Sequence, residues 1–345
     1  MLNAKSHLVV LAGTLLFSGS ALSGFEIDLG DDKKITFGGY IKVDGRYVDG
    51  DIAYRDFWIG NGTPMEEDAS QFRIFANETR FNTKYQHGDL TGFIEMDFYG
   101  GGGNEVISNS YHPRIRHAFI RYQGVTAGQT WSTLMNTSAI PETADFAGAT
   151  VGLAFIRQGQ VRYENGGFAV SIENPESFGG DTSNDAIPDV IAKYTFKQDW
   201  GNVSLAGIGR ELNTNGGDSE TAFGFSLAGK INLFDKDDFR FQVHQGELGR
   251  YVGVTAAADL VGEEVETTTA YLAAYRHYWT DTLRSTFLYG RVETDEADTD
   301  NSQWSVNLFT NLTTELAVGF EFGEFEMHSS NASSFYGQFS ARYAL

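Results

Sequence analysis

The sequence predicts an all-β fold, a 16-stranded antiparallel transmembrane β-barrel with short turns at one end and long loops at the other. Three features carry that expectation. Apolar and polar residues alternate in segment after segment, the links between segments are alternately short and long, and no apolar helix follows the first 23 residues. Composition agrees, since 40 glycines, 14% aromatic residues and only 5 prolines suit strands and tight turns.

Residues 1–23 read as a cleaved export signal. "MLNAKSH" supplies a basic start, "LVVLAGTLLF" an apolar run too short to span a bilayer, and "ALS" a small-residue cleavage site. Residues 24–33 are expected as a short periplasmic lead-in, with the barrel running from 34 to 345. In "ITFGGYIKVDGRYV", residues 35–48, one parity holds Ile35, Phe37, Ile41, Val43 and Tyr47; the other holds Tyr40, Lys42, Asp44, Arg46 and Val48. A strand sends these two sets to opposite faces. The alternation restarts near residues 71, 90, 113, 125, 158, 167, 188, 201, 220, 238, 267, 282, 301, 314 and 332. Short links such as "HGD", "QG", "NGG" and "TDT" alternate with long polar ones, among them 49–70, 100–112, 134–157 and 249–266.

A soluble β-sandwich also alternates, but it buries its apolar faces against each other and needs no such rhythm. The apolar parity here is rich in rings, including Phe223, Phe225, Tyr271, Tyr275, Phe320 and Phe322, which suits a membrane and its interfaces. In lipid only helices and closed barrels satisfy the backbone. The final "FYGQFSARYAL" looks like the C-terminal strand of outer-membrane proteins, with Leu345 where an aromatic residue is usual.

If the apolar parity meets lipid, the other lines the lumen, because a charge at the bilayer midplane costs about 2–4 kcal/mol. The inward parity carries Lys42, Arg46, Arg80, Lys84, Arg114, Arg116 and Arg162 in the first half of the chain. In the second half it carries Lys193, Lys197, Arg210, Lys230, Arg240, Arg276, Arg284 and Arg342. Its acids are fewer: Asp44, Glu78, Glu95, Asp97, Glu173 and Glu321. Carboxylates gather instead in "MEEDAS", "GEEVE" and "ETDEADTD". A chain of net charge −21 is therefore expected to have a basic interior, which favours small anions. Facing is open in "QFRIFANETR" and "PRIRHAFIRY", where a bulge would swap the faces. The long, rather apolar segment 134–157 is expected to fold into the lumen as a constriction loop. It would set Glu142 and Asp145 opposite Arg80, Arg114, Arg116 and Arg162; an outer loop packed on its neighbours is the alternative.

At "DLTGFIEMDFYGGGG", "RIRHAFIRY", "AGQTWSTLMN", "AIPETADF" and "RQGQVRYEN" the chain resembles the DcaP-like family of outer-membrane porins. More loosely, "ETRFNTKYQHGDLTG" and "RHAFIRYQGVTAGQT" are similar to hairpins of general trimeric porins. The resemblance spans nearly all of the mature chain. It implies a homotrimer of 16-stranded barrels in a Gram-negative outer membrane, in contact with the lipid bilayer and lipopolysaccharide. It also implies an inward third loop and passive passage of small anionic solutes, dicarboxylates among them. By motif position, Arg80, Arg114, Arg116 and Arg162 would line the pore, with Glu142 and Asp145 on the constriction loop. Family members often carry a periplasmic coiled coil, whereas "GFEIDLGDD" alone precedes strand one here.

Other functions have less support. The acidic total makes the chain a poor nucleic-acid binder. No G-x-S-x-G elbow, H-E-x-x-H helix or Walker A loop occurs, and the histidines are scattered, so no catalytic residue, metal or cofactor is expected. Within channels, a phosphate-type or unselective pore is the runner-up; an enzymatic or adhesive barrel is the alternative class.

Overall fold

The computed structural model describes residues 24–53, 64–104, 106, 108–146, 151–234, 236–252 and 258–345. The expected export signal lies outside them. The chain opens on a hairpin, β1 (Phe25–Gly30) and β2 (Lys33–Gly50), turned at Asp31 and Asp32, both with positive φ. The second stave is split into β3 (Ala69–Phe75) and β4 (Arg80–His87). Five short staves follow: β5 (Leu90–Asp97), β6 (Arg114–Tyr122), β7 (Val125–Trp131), β8 (Arg157–Asn165) and β9 (Phe168–Glu173). The wall continues with β10 (Asp189–Gln198), β11 (Gly201–Asn213), β12 (Ser219–Asn232) and β13 (Asp238–Gly246). A small ladder of β14 (Leu260–Val261) and β15 (Glu264–Val265) lies in a long loop, apart from the wall. The circuit ends with β16 (Thr268–Tyr278), β17 (Leu283–Thr294), β18 (Asp300–Asn311), β19 (Leu316–Met327) and β20 (Ala332–Ala344).

Each stave pairs antiparallel with its neighbours in the chain, and β20 pairs with β2 from Ala344 opposite Tyr40 to Ser334 opposite Gly50. The sheet has 18 strands. Because β1 lies outside the circuit and β3 shares a stave with β4, the closed barrel has 16 staves. Closure removes the free edges that an open sheet would expose. The lead-in is more ordered than its sequence suggests. Where β20 stops at Tyr40, β1 takes its place along β2, with Phe25 opposite Phe37 and Ile27 opposite Ile35.

Alternation along β2 matches its sequence. Phe37, Ile41, Val43 and Tyr47 are exposed, while Tyr40, Lys42, Asp44, Arg46 and Val48 are buried inside. The same outward face recurs at Phe223, Phe225 and Leu227 on β12 and at Phe320 and Phe322 on β19. Apolar side chains on the outside of a closed barrel are stable in hydrocarbon and costly in water. The suspected bulge is real: the β5–β6 register slips between Glu95 and Met96, so both Arg116 and His117 turn inward.

Candidate functional site

The segment after β7 leaves the wall and runs around its inner surface. Each step is held by a stave it passes. Lys193 donates to the Met135 carbonyl at 2.7 Å, and Asn136 donates to Asn202 and Ser204 at 2.9 and 3.0 Å. Gln242 and Arg240 donate to the carbonyls of Ala139 and Ile140. Arg284 then grips Glu142 through two donors at 2.6 and 2.7 Å, and Asn307 donates to the Glu142 carbonyl at 2.8 Å. The Ala144 amide donates to Glu321 at 2.9 Å, while Lys42 and Gln338 donate to the Ala144 carbonyl at 2.6 and 2.7 Å. Phe146 stacks on Tyr99 at 4.5 Å. The expected inward loop is therefore present, seated on wall staves from β10 round to β20 and β2 and on Tyr99 just past β5.

Its return arm begins at Val151 against β17. A Cβ at Gly290 would come within 2.0 Å of the Val151 carbonyl oxygen, so only glycine admits this contact. The arm is then met by a second inward loop: the Phe155 amide donates to the Tyr251 carbonyl at 3.1 Å, and Ala154 bridges to Val252. Leu134, Met135, Val151, Leu248 and Tyr251 pack with Val48, Ile191, Val292 and Phe325 from the wall. An apolar plug thus narrows the long-loop half of the lumen. Val48 is the one apolar member of the inward parity of β2 beyond Tyr40, and it marks where the plug sits.

Twelve of these cations lie along the inner side of the wall, and all but Lys193 meet a carboxylate. Lys42 binds Glu78 and lies 3.4 Å from Asp44; Arg80 lies 3.7 Å from Glu78; Arg46 lies 3.5 Å from Asp145. Arg114 and Arg116 share Asp97 at 2.8 and 2.9 Å, and Arg116 also reaches Glu95 at 2.8 Å. Arg162 lies 3.6 Å from Glu164, and Arg210 sits between Asp259 at 2.5 Å and Asp189 at 3.3 Å. Lys230, Arg240 and Arg276 converge on Asp238. Lys193 donates instead to the Met135 carbonyl.

Two expectations change. Among the described residues Glu142 pairs with Arg284 and Asp145 with Arg46, on the wall beside them, rather than with Arg80, Arg114, Arg116 or Arg162. Facing the first three of those arginines is the Phe146 ring, 5.5 to 5.6 Å from each guanidinium. The interior is also less basic than its parity suggested, because Asp189, Asp238 and Asp259 are buried among the cations. Asp238 and Asp189 share the parity of Arg240 and Lys193, at the first positions of segments whose alternation restarts near 238 and 188, so the pattern could have found them. Asp259 carries no periodic signal, being on a loop. Glu142 belongs to the loop rather than to a spanning strand. Burial raises its carboxyl pKa, but hydrogen bonds from Arg284 and the charges of Arg284 and Arg276 outweigh this and hold it below the usual carboxylate range.

The pairing alters what a charge reversal does. Arg116→Glu would set three carboxylates, Glu95, Asp97 and the new one, in a buried site. We expect a loss of about 3–5 kcal/mol and a lower heat-unfolding temperature on a folded-barrel gel, rather than a clean change in ion preference. An unchanged unfolding temperature would show that the site is wetter than its 1% exposure implies.

A closed wall with an apolar outside, a polar inside and an inward loop defines a porin-type outer-membrane barrel. The DcaP outer membrane protein family model matches residues 26–330, and the chain belongs to that family. The outer membrane channel DcaP of Acinetobacter baumannii superposes with a TM-score of 0.78 at 22% identity, over 94% of this chain and 100% of that one. An anion-selective porin from Comamonas acidovorans gives 0.62 at 14% identity, over 91% and 100%. OmpT of Vibrio cholerae in its trimer form gives 0.57 at 14%, over 91% and 100%. No curated protein sequence matches the chain significantly. The protein is an outer-membrane porin channel, with the short turns at its periplasmic end.

Proposed function

We propose that the channel passes small hydrophilic solutes by diffusion and prefers anions, dicarboxylates among them. One observation supports this most. Four cations, Lys230, Arg240, Arg276 and Arg284, share two carboxylates, Asp238 and Glu142, on adjoining staves. That leaves a local surplus of positive charge beside the loop. A unit charge at about 4 Å is worth from about 1 kcal/mol in bulk-like water to about 4 in partly desolvated surroundings, enough to favour anions without trapping them. Arginine forks also match carboxylates in two-point geometry.

The test is single-channel recording in a planar bilayer under a salt gradient, followed by added succinate. A reversal potential on the chloride side and brief succinate block are expected; cation selectivity would overturn the reading.

The same proposal includes a homotrimer. Staves β5 to β9 hold six to nine residues, whereas β11, β12 and β17 to β20 hold twelve to fourteen. A tilted strand needs about 9–11 residues to cross hydrocarbon, so the low wall suits contact with protein better than with lipid. Light scattering in detergent should give the mass of three chains; a monomer would discard this part alone.

A further inference from the structure

The basic residues near the periplasmic end form a pattern that the paired charges around the loop do not explain. Lys84 on β4, Arg121 on β6, Arg162 on β8, Lys197 on β10 and Lys230 on β12 all face inward. Each lies no more than three residues from the last residue of its stave. They therefore occupy every second stave at one level, in an arc across half the barrel. The staves between them contribute uncharged groups. Asn202 on β11, for example, stands opposite both Lys197 and Lys230.

Most of these side chains reach water to a degree that Arg116 does not: Arg121 is 43% exposed, Lys230 22% and Arg162 15%, and Lys197 is exposed, against 1% for Arg116. Three carboxylates stand on the same level, Glu164, Asp238 and Glu26, the last across Thr36 from Lys84 and paired with Lys34 at 2.8 Å. Glu164 is divided between Arg121 at 3.1 Å and Arg162 at 3.6 Å, and Asp238 is buried under three cations. Above the arc the lumen is charge-paired and then apolar. Carboxylates on the turns, such as Asp281 at 91% exposure, lie in bulk solvent and are largely screened at physiological salt.

We infer that this periplasmic vestibule is a binding site for polyvalent anions, solutes carrying two or three carboxylate or phosphate charges, and that it holds them from the periplasmic side only. The inference rests on the anion-channel reading and adds valence and sidedness to it. A monovalent ion meets one cation of the arc at a time, whereas a polyvalent one bridges neighbouring staves. Concave walls of low dielectric strengthen that field.

The chain has no cysteine, so a single Asp298→Cys in a long loop lets an impermeant thiol reagent report orientation in a planar bilayer. Inorganic tripolyphosphate is then added to one chamber at a time. Block from the periplasmic side at a concentration at least about tenfold lower than from the other side is expected. Substituting Lys84→Gln with Lys197→Gln should remove most of that difference. Equal block from both sides, or one-sided block that persists in the double variant, overturns the inference. Titration calorimetry of tripolyphosphate into the detergent-solubilised protein separates the two readings. Heat of binding in the original chain that the double variant loses supports the vestibule even without conduction; no binding sinks it even if the channel is anion-selective.

Discussion

Replacing Glu142 by glutamine is expected to raise the anion preference of the channel. The carboxylate takes two hydrogen bonds from Arg284 and lies 3.8 Å from Arg276, so it cancels charge where the loop meets β16 and β17. Glutamine keeps an acceptor for Arg284 and leaves the backbone bond from Asn307 to the residue-142 carbonyl untouched. The loop stays seated while one negative charge disappears. At a bulk-like value of about 1 kcal/mol for one such charge, the chloride-to-potassium permeability ratio should rise about fivefold. The reversal potential under a salt gradient reads it directly. A shift toward cations, or none, would mean that this part of the loop does not border the ion path.

The second large effect is on the outer half. Arg210 is buried between Asp189 and Asp259, and its guanidinium lies 5.1 Å from the Tyr251 ring. Asp259 also receives the Arg250 amide, and Asp189 the Tyr251 hydroxyl at 2.7 Å. Arg210→Ala would leave two carboxylates of zero exposure with Arg250 as their remaining cation. Losing one member of such a cluster costs about 3–5 kcal/mol. The loop carrying Tyr251 should detach, and with it the support for Phe155 on the return arm of the third loop. Higher conductance, a lower unfolding midpoint in detergent and new protease cleavage between β13 and β16 are expected. Wild-type values for all three would show that the apolar plug, not this ion cluster, holds the loop.

These residues also mark what could be read from the sequence. Stave starts and facing were legible because a period of two is a local property: Lys42, Asp44 and Arg46 had to share a face once Ile41 and Val43 shared the other. The bulge between Glu95 and Met96 left only a doubt, since two adjacent inward residues, Arg116 and His117, break the period without saying which partner strand yields. The circumferential path of the loop was not legible. Glu142 meets Arg284 across 142 positions and Ala144 meets Glu321 across 177, and parity sorts residues into faces without saying which stave a loop will touch. The carboxylates that balance the interior were hidden for a related reason. Asp189 and Asp238 open their staves, where a strand residue and a turn residue look alike.

The seam between β2 and β20 is what closes this wall. Tyr40 pairs with Ala344, so the closing contact joins nearly the whole length of the chain. Without it the sheet would present two raw margins, each able to recruit a stranger. The small hairpin formed by β1 covers the lower part of one of them. Assembly therefore depends on the carboxyl-terminal segment being delivered intact, and a chain cut short there has no partner for its first stave.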